Sequence, residues 1–161
     1  MKLSIIIPCK NEEGNIVKLH DKITKTLKKI KFETIYIDDG STDKTLEKLK
    51  DLYKKDSKRV KVLSFSRNFK KEAAMLAGLE HATGEYTCII DADLQQNPKY
   101  LVQMYEYLEK HEEYDVVAMY MNNRIDDSKI LKVCKNAFYK VMNKLSDVDL
   151  EDAASDFRMF F

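Results

Sequence analysis

Short apolar runs alternate along this chain with stretches of helical periodicity, and this alternation constrains the fold more than any other feature. Apolar or β-favouring runs occupy residues 3–7, 34–37, 60–65, 86–90 and 115–120. Apolar residues recur at helical spacing within 16–30, 46–53, 73–79, 101–108 and 130–145. Because a helix that follows a strand returns the chain to a parallel neighbour, the pattern predicts an α/β fold. We expect a three-layer α/β/α sandwich with a mostly parallel central sheet.

Composition sets the domain count and excludes one class of partner. The chain has 161 residues, of which 44% are hydrophobic and 34% charged, as expected for one globular domain over 1–161. Its net charge of +1 provides no overall field for nucleic acid, so we expect no nucleic-acid partner. Cys9, Cys88 and Cys134 are odd in number and widely spaced, which indicates reduced thiols in a cytoplasmic protein. No apolar stretch reaches membrane-spanning length.

Two carboxylates follow the run 86–90 at its predicted carboxyl end. Asp91 and Asp93 are separated by the small residue Ala92, and open α/β sheets bind ligands at this edge. Mg²⁺ or Mn²⁺ needs few protein carboxylates when substrate phosphates and water complete its coordination. An ordinary strand-end turn rich in Asp explains the same residues, so the D-A-D pattern alone leaves both interpretations open.

Other polar residues follow the neighbouring strands at the same predicted edge. Asp38 and Asp39 end one strand, and Arg67 follows another. A carboxylate can bind a ribose or base, and a guanidinium can bind a diphosphate. A solvated turn and a surface arginine are the competing interpretations. Asn11 is the predicted cap of the first helix, and Ser41 or Thr42 of the second. Glycine-rich dinucleotide, P-loop and serine-hydrolase motifs do not occur in the sequence.

Taken together, five separated motifs resemble family 2 glycosyltransferases, especially the polyprenyl-phosphate glycosyltransferases that include dolichyl-phosphate mannose synthases and undecaprenyl-phosphate glucosyltransferases. In chain order they are P-C-K-N-E-E at 8–13, I-D-D-G-S-T-D at 37–43, S-R-N-F-K-K-E-A-A at 66–74, D-A-D-L-Q-Q-N-P at 91–98 and D-F-R at 156–158. The resemblance implies a GT-A fold and a nucleotide-diphosphate sugar donor of the UDP-glucose or GDP-mannose type. It also implies a bound Mg²⁺ or Mn²⁺ ion.

The resemblance assigns roles to residues in this sequence. Around the donor it implies Pro8, Glu12, Asp39, Arg67, Asp91 and Asp93, with Asp91, Asp93 and Gln95 at the metal. Arg124, Ser128 and Lys132 match a segment that faces the acceptor phosphate, and Asp156 matches an acidic residue at the reaction centre. Asp156, Arg124 and Lys132 are therefore the candidate catalytic residues. Lys70 and Ser155 stand where many relatives have glycine, so we expect the loops around them to differ in shape.

The implied reaction is an inverting, metal-dependent transfer of a sugar to a polyprenyl phosphate. Transfer to a saccharide hydroxyl in surface polysaccharide synthesis, and nucleotide-sugar binding without turnover, are the alternatives. Relatives continue into further catalytic residues and often two membrane helices, and the apolar end at 158–161 suggests that this sequence stops inside or just after the catalytic region. We expect a cytoplasmic catalytic domain, which lies at the membrane face if the full-length chain carries such helices. The lysines within 129–144 suit either a membrane surface or a solvated helix face.

Overall fold

The computed structural model describes residues 1–120 and 154–161, and within them strands and helices alternate as predicted. The strands are β1 (Leu3–Cys9), β2 (Phe32–Asp38), β3 (Val60–Ser64), β4 (Tyr86–Ile89), β5 (Val116–Tyr120) and β6 (Ala154–Phe160). The helices are α1 (Ile16–Thr26), α2 (Thr45–Lys55), α3 (Lys71–Glu80) and α4 (Lys99–Lys110). The predicted helical stretch 130–145 lies outside the described residues.

The six strands form one sheet in the order β3-β2-β1-β4-β6-β5. β3, β2, β1 and β4 run parallel to one another, whereas β6 pairs antiparallel with β4. The predicted mostly parallel sheet is therefore confirmed, with β1 at the point where the strand order changes direction. In such sheets ligands bind beyond the carboxyl ends of the strands, next to that point.

Side chains are buried beneath helices on both faces of the sheet. Ile6, Ile35 and Ile89 are buried on one face, together with Ala74 of α3. Gly78 allows this helix to pack closely, because a Cβ atom there would lie only 2.4 Å from a methyl carbon of Ile6. On the other face, buried His20 of α1 contacts the hydroxyl of Tyr36 through Nδ1 at 3.1 Å.

A buried polar network joins the amino ends of the strands, opposite the edge predicted to bind ligands. Glu33 of β2 accepts hydrogen bonds from Ser4 Oγ at 2.7 Å and from the backbone and hydroxyl of Thr83 at 2.9 and 2.8 Å. Lys61 Nζ lies 2.8 Å from its other oxygen. Burial raises the pKa of Glu33, but Lys61, Ser4 and Thr83 more than offset this effect and leave the pKa below its ordinary value.

The strand β6 is an element that the sequence interpretation did not predict. Its apolar residues Phe157 and Met159 are buried, and its register places Met159 opposite Cys88 of β4. The apolar end of the sequence therefore belongs to the sheet. Asp156 is exposed within the same strand.

The chain divides into two compact units, one formed by Met1–Val117 with Phe157–Phe161 and the other by Ala118–Asp156. The cavity and loops described below belong to the first unit. The assignment of residues 1–161 to a single catalytic domain stays a prediction. Over 1–120 and 154–161, no helix has the length and apolar character needed to cross a bilayer.

Candidate active site

A cavity of about 330 Å³ lies at the carboxyl ends of the parallel strands. Its described lining comes from β1 and the segment after it, from the loops after β2, β3 and β4, and from α3. These residues are Pro8, Cys9, Lys10, Glu12, Asp39, Asn68, Lys70, Lys71, Ala74 and Asp91. The structure thus brings together four of the residues predicted around the donor, which are Pro8, Glu12, Asp39 and Asp91.

Hydrogen bonds tie the segment after β1 to the loop after β2. Asn11 accepts a hydrogen bond from the backbone of Thr42 at 2.9 Å, and its own backbone N–H donates to Ser41 Oγ at 2.9 Å. Glu12 donates its backbone N–H to Thr45 Oγ1 at 2.7 Å. The prediction that Asn11, Ser41 or Thr42 caps a helix is wrong, because α1 begins at Ile16 and α2 at Thr45. These three residues instead connect the two loops.

Asp39 connects the loop after β2 to the loop after β3. Its two carboxylate oxygens accept the backbone N–H groups of Phe69 at 2.6 Å and Lys70 at 3.1 Å. The neighbouring Asp38 is more deeply buried and accepts hydrogen bonds from Ser41 N and Ser64 Oγ. Asp39 lines the cavity, whereas Asp38 is not among its described lining residues.

Gly40 and Lys70 give this pair of loops its shape. Gly40 has a φ of +63°, and a Cβ atom there would lie 2.6 Å from the carbonyl carbon of Arg67. Lys70 has φ +79° and ψ 166°, a backbone region that is almost reserved for glycine. Lys70 thus adopts a glycine-type backbone conformation under strain, and the expected difference in loop shape from relatives stays a prediction.

Asp91 is held by two side chains that the sequence analysis did not single out. Its Oδ1 lies 2.6 Å from Lys71 Nζ, and its Oδ2 accepts a hydrogen bond from Gln96 Nε2 at 2.9 Å. Gln96 also accepts the backbone N–H of Asp91 at 2.9 Å. Gln96 is buried, whereas Gln95, the predicted metal ligand, is exposed.

Asp93 forms a tight turn beyond Asp91. Its Oδ1 accepts the backbone N–H of Gln95 at 2.9 Å, and Leu94 between them has a φ of +66°. Asp93 is exposed and is not among the described lining residues of the cavity. In the part of the chain that the structure describes, no three Asp, Glu, His or Cys residues cluster closely enough to hold a metal by themselves.

The remaining predicted residues lie elsewhere or outside the described chain. Arg67 is exposed, and its guanidinium carbon lies 4.5 Å from the ring centre of Phe69; it is not among the described lining residues. Asp156 belongs to the second unit. Arg124, Ser128, Lys132 and Cys134 fall outside the described residues.

Cys9 lines the cavity, but its chemistry does not suit a nucleophile. Burial raises the pKa of the Cys9 thiol well above its usual value, and the negative charges of Asp38 and Glu12 raise it further. A thiol with a raised pKa stays protonated near neutral pH and reacts slowly. The polar chemistry of the cavity therefore rests on carboxylates and lysines.

Comparison with known proteins shows which family this chain is part of. Residues 4–161 match the Glycosyl transferase family 2 domain. The chain belongs to glycosyl transferase family 2. The resemblance inferred from the five motifs is thereby confirmed. Two curated relatives are similar over almost the whole chain. One is CsbB of Bacillus subtilis (strain 168), which is named as a glycosyltransferase, and the other is the prophage bactoprenol glucosyl transferase homolog of Escherichia coli (strain K12).

The identities are 46% over 160 residues for CsbB and 35% over 161 residues for the Escherichia coli protein. These matches cover 98% and 99% of this chain but only 47% and 52% of the relatives. The chain thus spans about half the length of the curated relatives it matches.

Solved structures confirm the GT-A-like fold of this family 2 chain. S. aureus TarS 1-349 in complex with UDP is 28% identical, with a TM-score of 0.65 over 82% of this chain and 40% of that chain. Glucosyl-3-phosphoglycerate synthase from Mycobacterium tuberculosis, solved with Mn²⁺, UDP and phosphoglyceric acid, has a TM-score of 0.67 at 19% identity, covering 99% of this chain and 55% of that chain.

Proposed function

We propose that this chain carries the donor site of an inverting, metal-dependent glycosyltransferase that moves a sugar from a UDP-sugar to a polyprenyl phosphate. The observation that carries the proposal is the cavity at the carboxyl edge of the sheet. There Asp39 and Asp91 come from two separate strand ends and line the same space, with Pro8 and Glu12 beside them.

The donor's nucleoside fits the side of the cavity formed by Pro8, Glu12 and Asp39. Asp39 is fixed by two backbone amides, so its remaining lone pairs have a defined direction for a base or ribose hydroxyl. The lysines at positions 10, 70 and 71 line the same cavity and supply positive charge for a diphosphate. The UDP named in the TarS structure supports UDP as the nucleotide. We assign Arg67 to the vicinity of the donor.

Mg²⁺ or Mn²⁺ fits the chemistry of the residues after β4. Asp91 and Asp93 offer carboxylate oxygens two positions apart, Asp93 and Gln95 are exposed, and the Asp91 side chain is 28% exposed. Hard divalent cations of this kind accept a small number of protein oxygens when phosphates complete the shell. We therefore assign Asp91, Asp93 and Gln95 to the metal. When bound, the cation supplies positive charge to the diphosphate oxygens.

The relative named as a bactoprenol glucosyl transferase homolog supports a polyprenyl phosphate acceptor. An acceptor phosphate oxygen forms a bond to the sugar's anomeric carbon while that carbon's bond to the diphosphate breaks, and UDP leaves. A phosphate with a second pKa of about 6 is largely ionised at neutral pH, so the acceptor needs positioning more than deprotonation. We assign this positioning to Arg124, Ser128 and Lys132, and place Asp156 at the reaction centre.

We further propose that the domain acts in the cytoplasm, at the membrane face where its lipid acceptor lies. The buried and unbridged Cys9 and Cys88 support a reducing compartment. Association with the membrane in a full-length protein, and a role in surface polysaccharide synthesis, follow from the lipid acceptor.

A transfer assay tests the proposal. The chain is incubated with Mn²⁺, UDP-glucose and undecaprenyl phosphate in detergent, with GDP-mannose as the competing donor and the Escherichia coli relative as positive control. We expect glucosyl phospholipid from UDP-glucose, and at least about a hundredfold less product from the Asp91→Asn variant.

Three results would replace the proposal with another. Glucose found only on an added saccharide hydroxyl would assign a different acceptor. Product from GDP-mannose alone would assign a different donor. UDP-glucose binding without any transfer, while the control enzyme works, would make the chain a binding module.

A further inference from the structure

Lys71 forms an ion pair with one carboxylate oxygen of Asp91, a residue that the proposed function assigns to the metal. Lys71 Nζ lies 2.6 Å from Oδ1 of Asp91, and both residues line the cavity. Lys71 is the first residue of α3, whereas Asp91 follows β4. The pair therefore joins two separate elements across the space in which the donor is proposed to bind.

Gln96 makes the two oxygens of Asp91 unequal. Its side chain holds Oδ2 through Nε2 and also accepts the backbone N–H of the same residue, both at 2.9 Å. The carboxylate thus keeps its place through a buried neighbour even when its other oxygen changes partner. Oδ1, which faces Lys71, is the oxygen whose partner can be exchanged.

The partial exposure of both side chains lowers the free energy needed to separate the pair. The side chains of Lys71 and Asp91 are 35% and 28% exposed, so water can solvate either charge when the other moves away. Partly exposed ion pairs contribute little to folding, typically below about 1 kcal/mol. A divalent cation attracts the carboxylate more strongly than an ammonium does, because it carries twice the charge.

We infer that Lys71 is a positioning residue that exchanges partners when the donor binds. Without donor it neutralises Asp91, and once Asp91 held the cation, the Lys71 ammonium would contact the donor's diphosphate. This inference rests on the proposed function and deepens it, because it assigns Lys71 to the diphosphate and gives Asp91 two successive partners. A lysine that acted only through its charge in the cavity would change the affinities for metal and nucleotide no more than Lys10 does.

Three calorimetric titrations of the 161-residue chain test the exchange. The ligands are Mn²⁺ alone, UDP alone and UDP at saturating Mn²⁺, and the proteins are the wild type, Lys71→Met, Lys71→Arg and Lys10→Met. Lys10→Met is the matched control, since it removes the same charge from the same cavity while no described contact joins Lys10 to Asp91. Thermal unfolding checks that each variant is folded.

We expect Lys71→Met to bind Mn²⁺ alone about tenfold more tightly than the wild type, because the competing ammonium is gone. The same variant should bind UDP at saturating Mn²⁺ about tenfold more weakly, because the diphosphate has lost a cation. Lys71→Arg should restore both constants toward the wild type, and Lys10→Met should change Mn²⁺ affinity less than Lys71→Met.

An unchanged or weaker Mn²⁺ affinity in folded Lys71→Met overturns the exchange, as does unchanged UDP affinity. If the wild type binds Mn²⁺ and UDP in these cases, the donor site itself stands and only the role of Lys71 falls. A wild type that binds neither ligand overturns the proposed function and the exchange together.

Discussion

At the scale of single residues, the site depends on side chains that do two tasks at once. Asp39 lines the cavity and also fixes the loop after β3 through Phe69 and Lys70. Asp91 lines the cavity and also pairs with Lys71. Because each carboxylate is already oriented before a ligand arrives, the site loses little conformational freedom on binding.

The strained backbone of Lys70 gives a stability prediction. Lys70→Gly should raise the free energy of unfolding by about 1 kcal/mol, because relief of a conformation costing about 1–3 kcal/mol exceeds the added flexibility of the unfolded chain. Thermal unfolding should show this as a rise in Tm of about 2–4 °C.

Lys44→Gly provides the control for this substitution. Lys44 also immediately precedes a helix, but its φ is −82°, which any residue adopts without strain. The control should lose up to about 1 kcal/mol, because glycine gains freedom in the unfolded chain without relieving strain. Equal destabilisation by both substitutions would show that Lys70 carries no strain.

At the residue scale, the sequence predicted a place at the cavity best where a motif follows closely on a strand end. Pro8, Glu12, Asp39 and Asp91 met this condition and lie at the cavity. Lys71 and Gln96 did not, because their partner depends on how α3 and the turn after β4 pack in space. The motif places Arg67 near the donor, and its contact with the ring of Phe69 could not be predicted from that motif because it depends on the fold of the loop.

At the scale of elements, the sheet was predictable because β1, β2 and β4 are buried over most of their length on both faces, whereas β3 at the sheet edge is only partly buried. The predicted run 86–90 became β4 at Tyr86–Ile89, and the run 60–65 became β3 at Val60–Ser64. β6 was missed because its signal is a brief alternation around Phe157 and Met159. Its antiparallel pairing with β4 joins segments far apart in sequence, and local periodicity does not report that pairing.

The buried network at the amino ends of the strands gives a prediction for pH. Glu33→Gln should lower the free energy of unfolding at pH 7 by about 1–3 kcal/mol, because Lys61 loses its partner and Ser4 and Thr83 lose a charged acceptor. The pKa of Glu33 is lowered in the folded state, so its contribution is complete above the ordinary value of 4.5 and is lost as pH falls through the folded value.

Urea denaturation at several pH values between 7 and 3 measures this contribution. The stability difference between wild type and Glu33→Gln should shrink as the solution becomes more acidic than pH 4.5. His20, whose pKa burial lowers, also destabilises the fold in acid, but it is present in both proteins and cancels in the difference. Glu85→Gln is the control, because the Lys2–Glu85 pair is exposed and should matter little. A difference that stays constant with pH would contradict the ionised role of Glu33.

At the scale of the whole molecule, the two edges of the sheet are divided between stability and ligand binding. The amino edge carries the closed network around Glu33, in which hydrogen bonds satisfy the buried carboxylate. The carboxyl edge carries an open cavity whose loops are joined by polar contacts. This division follows from the parallel sheet, because all four parallel strands present their carboxyl ends to one edge.

The central claim is that Asp39, Asp91 and Glu12 line one nucleotide site. A titration with UDP at saturating Mn²⁺ tests this claim most directly. The wild type should bind, Asp39→Asn should bind at least about tenfold more weakly, and Asp51→Asn should match the wild type. Asp51 lies on α2 and pairs with Lys54, so its substitution makes the same charge change away from the cavity. Undetectable UDP binding by the folded wild type, or equal affinities for Asp39→Asn and Asp51→Asn, would contradict the account.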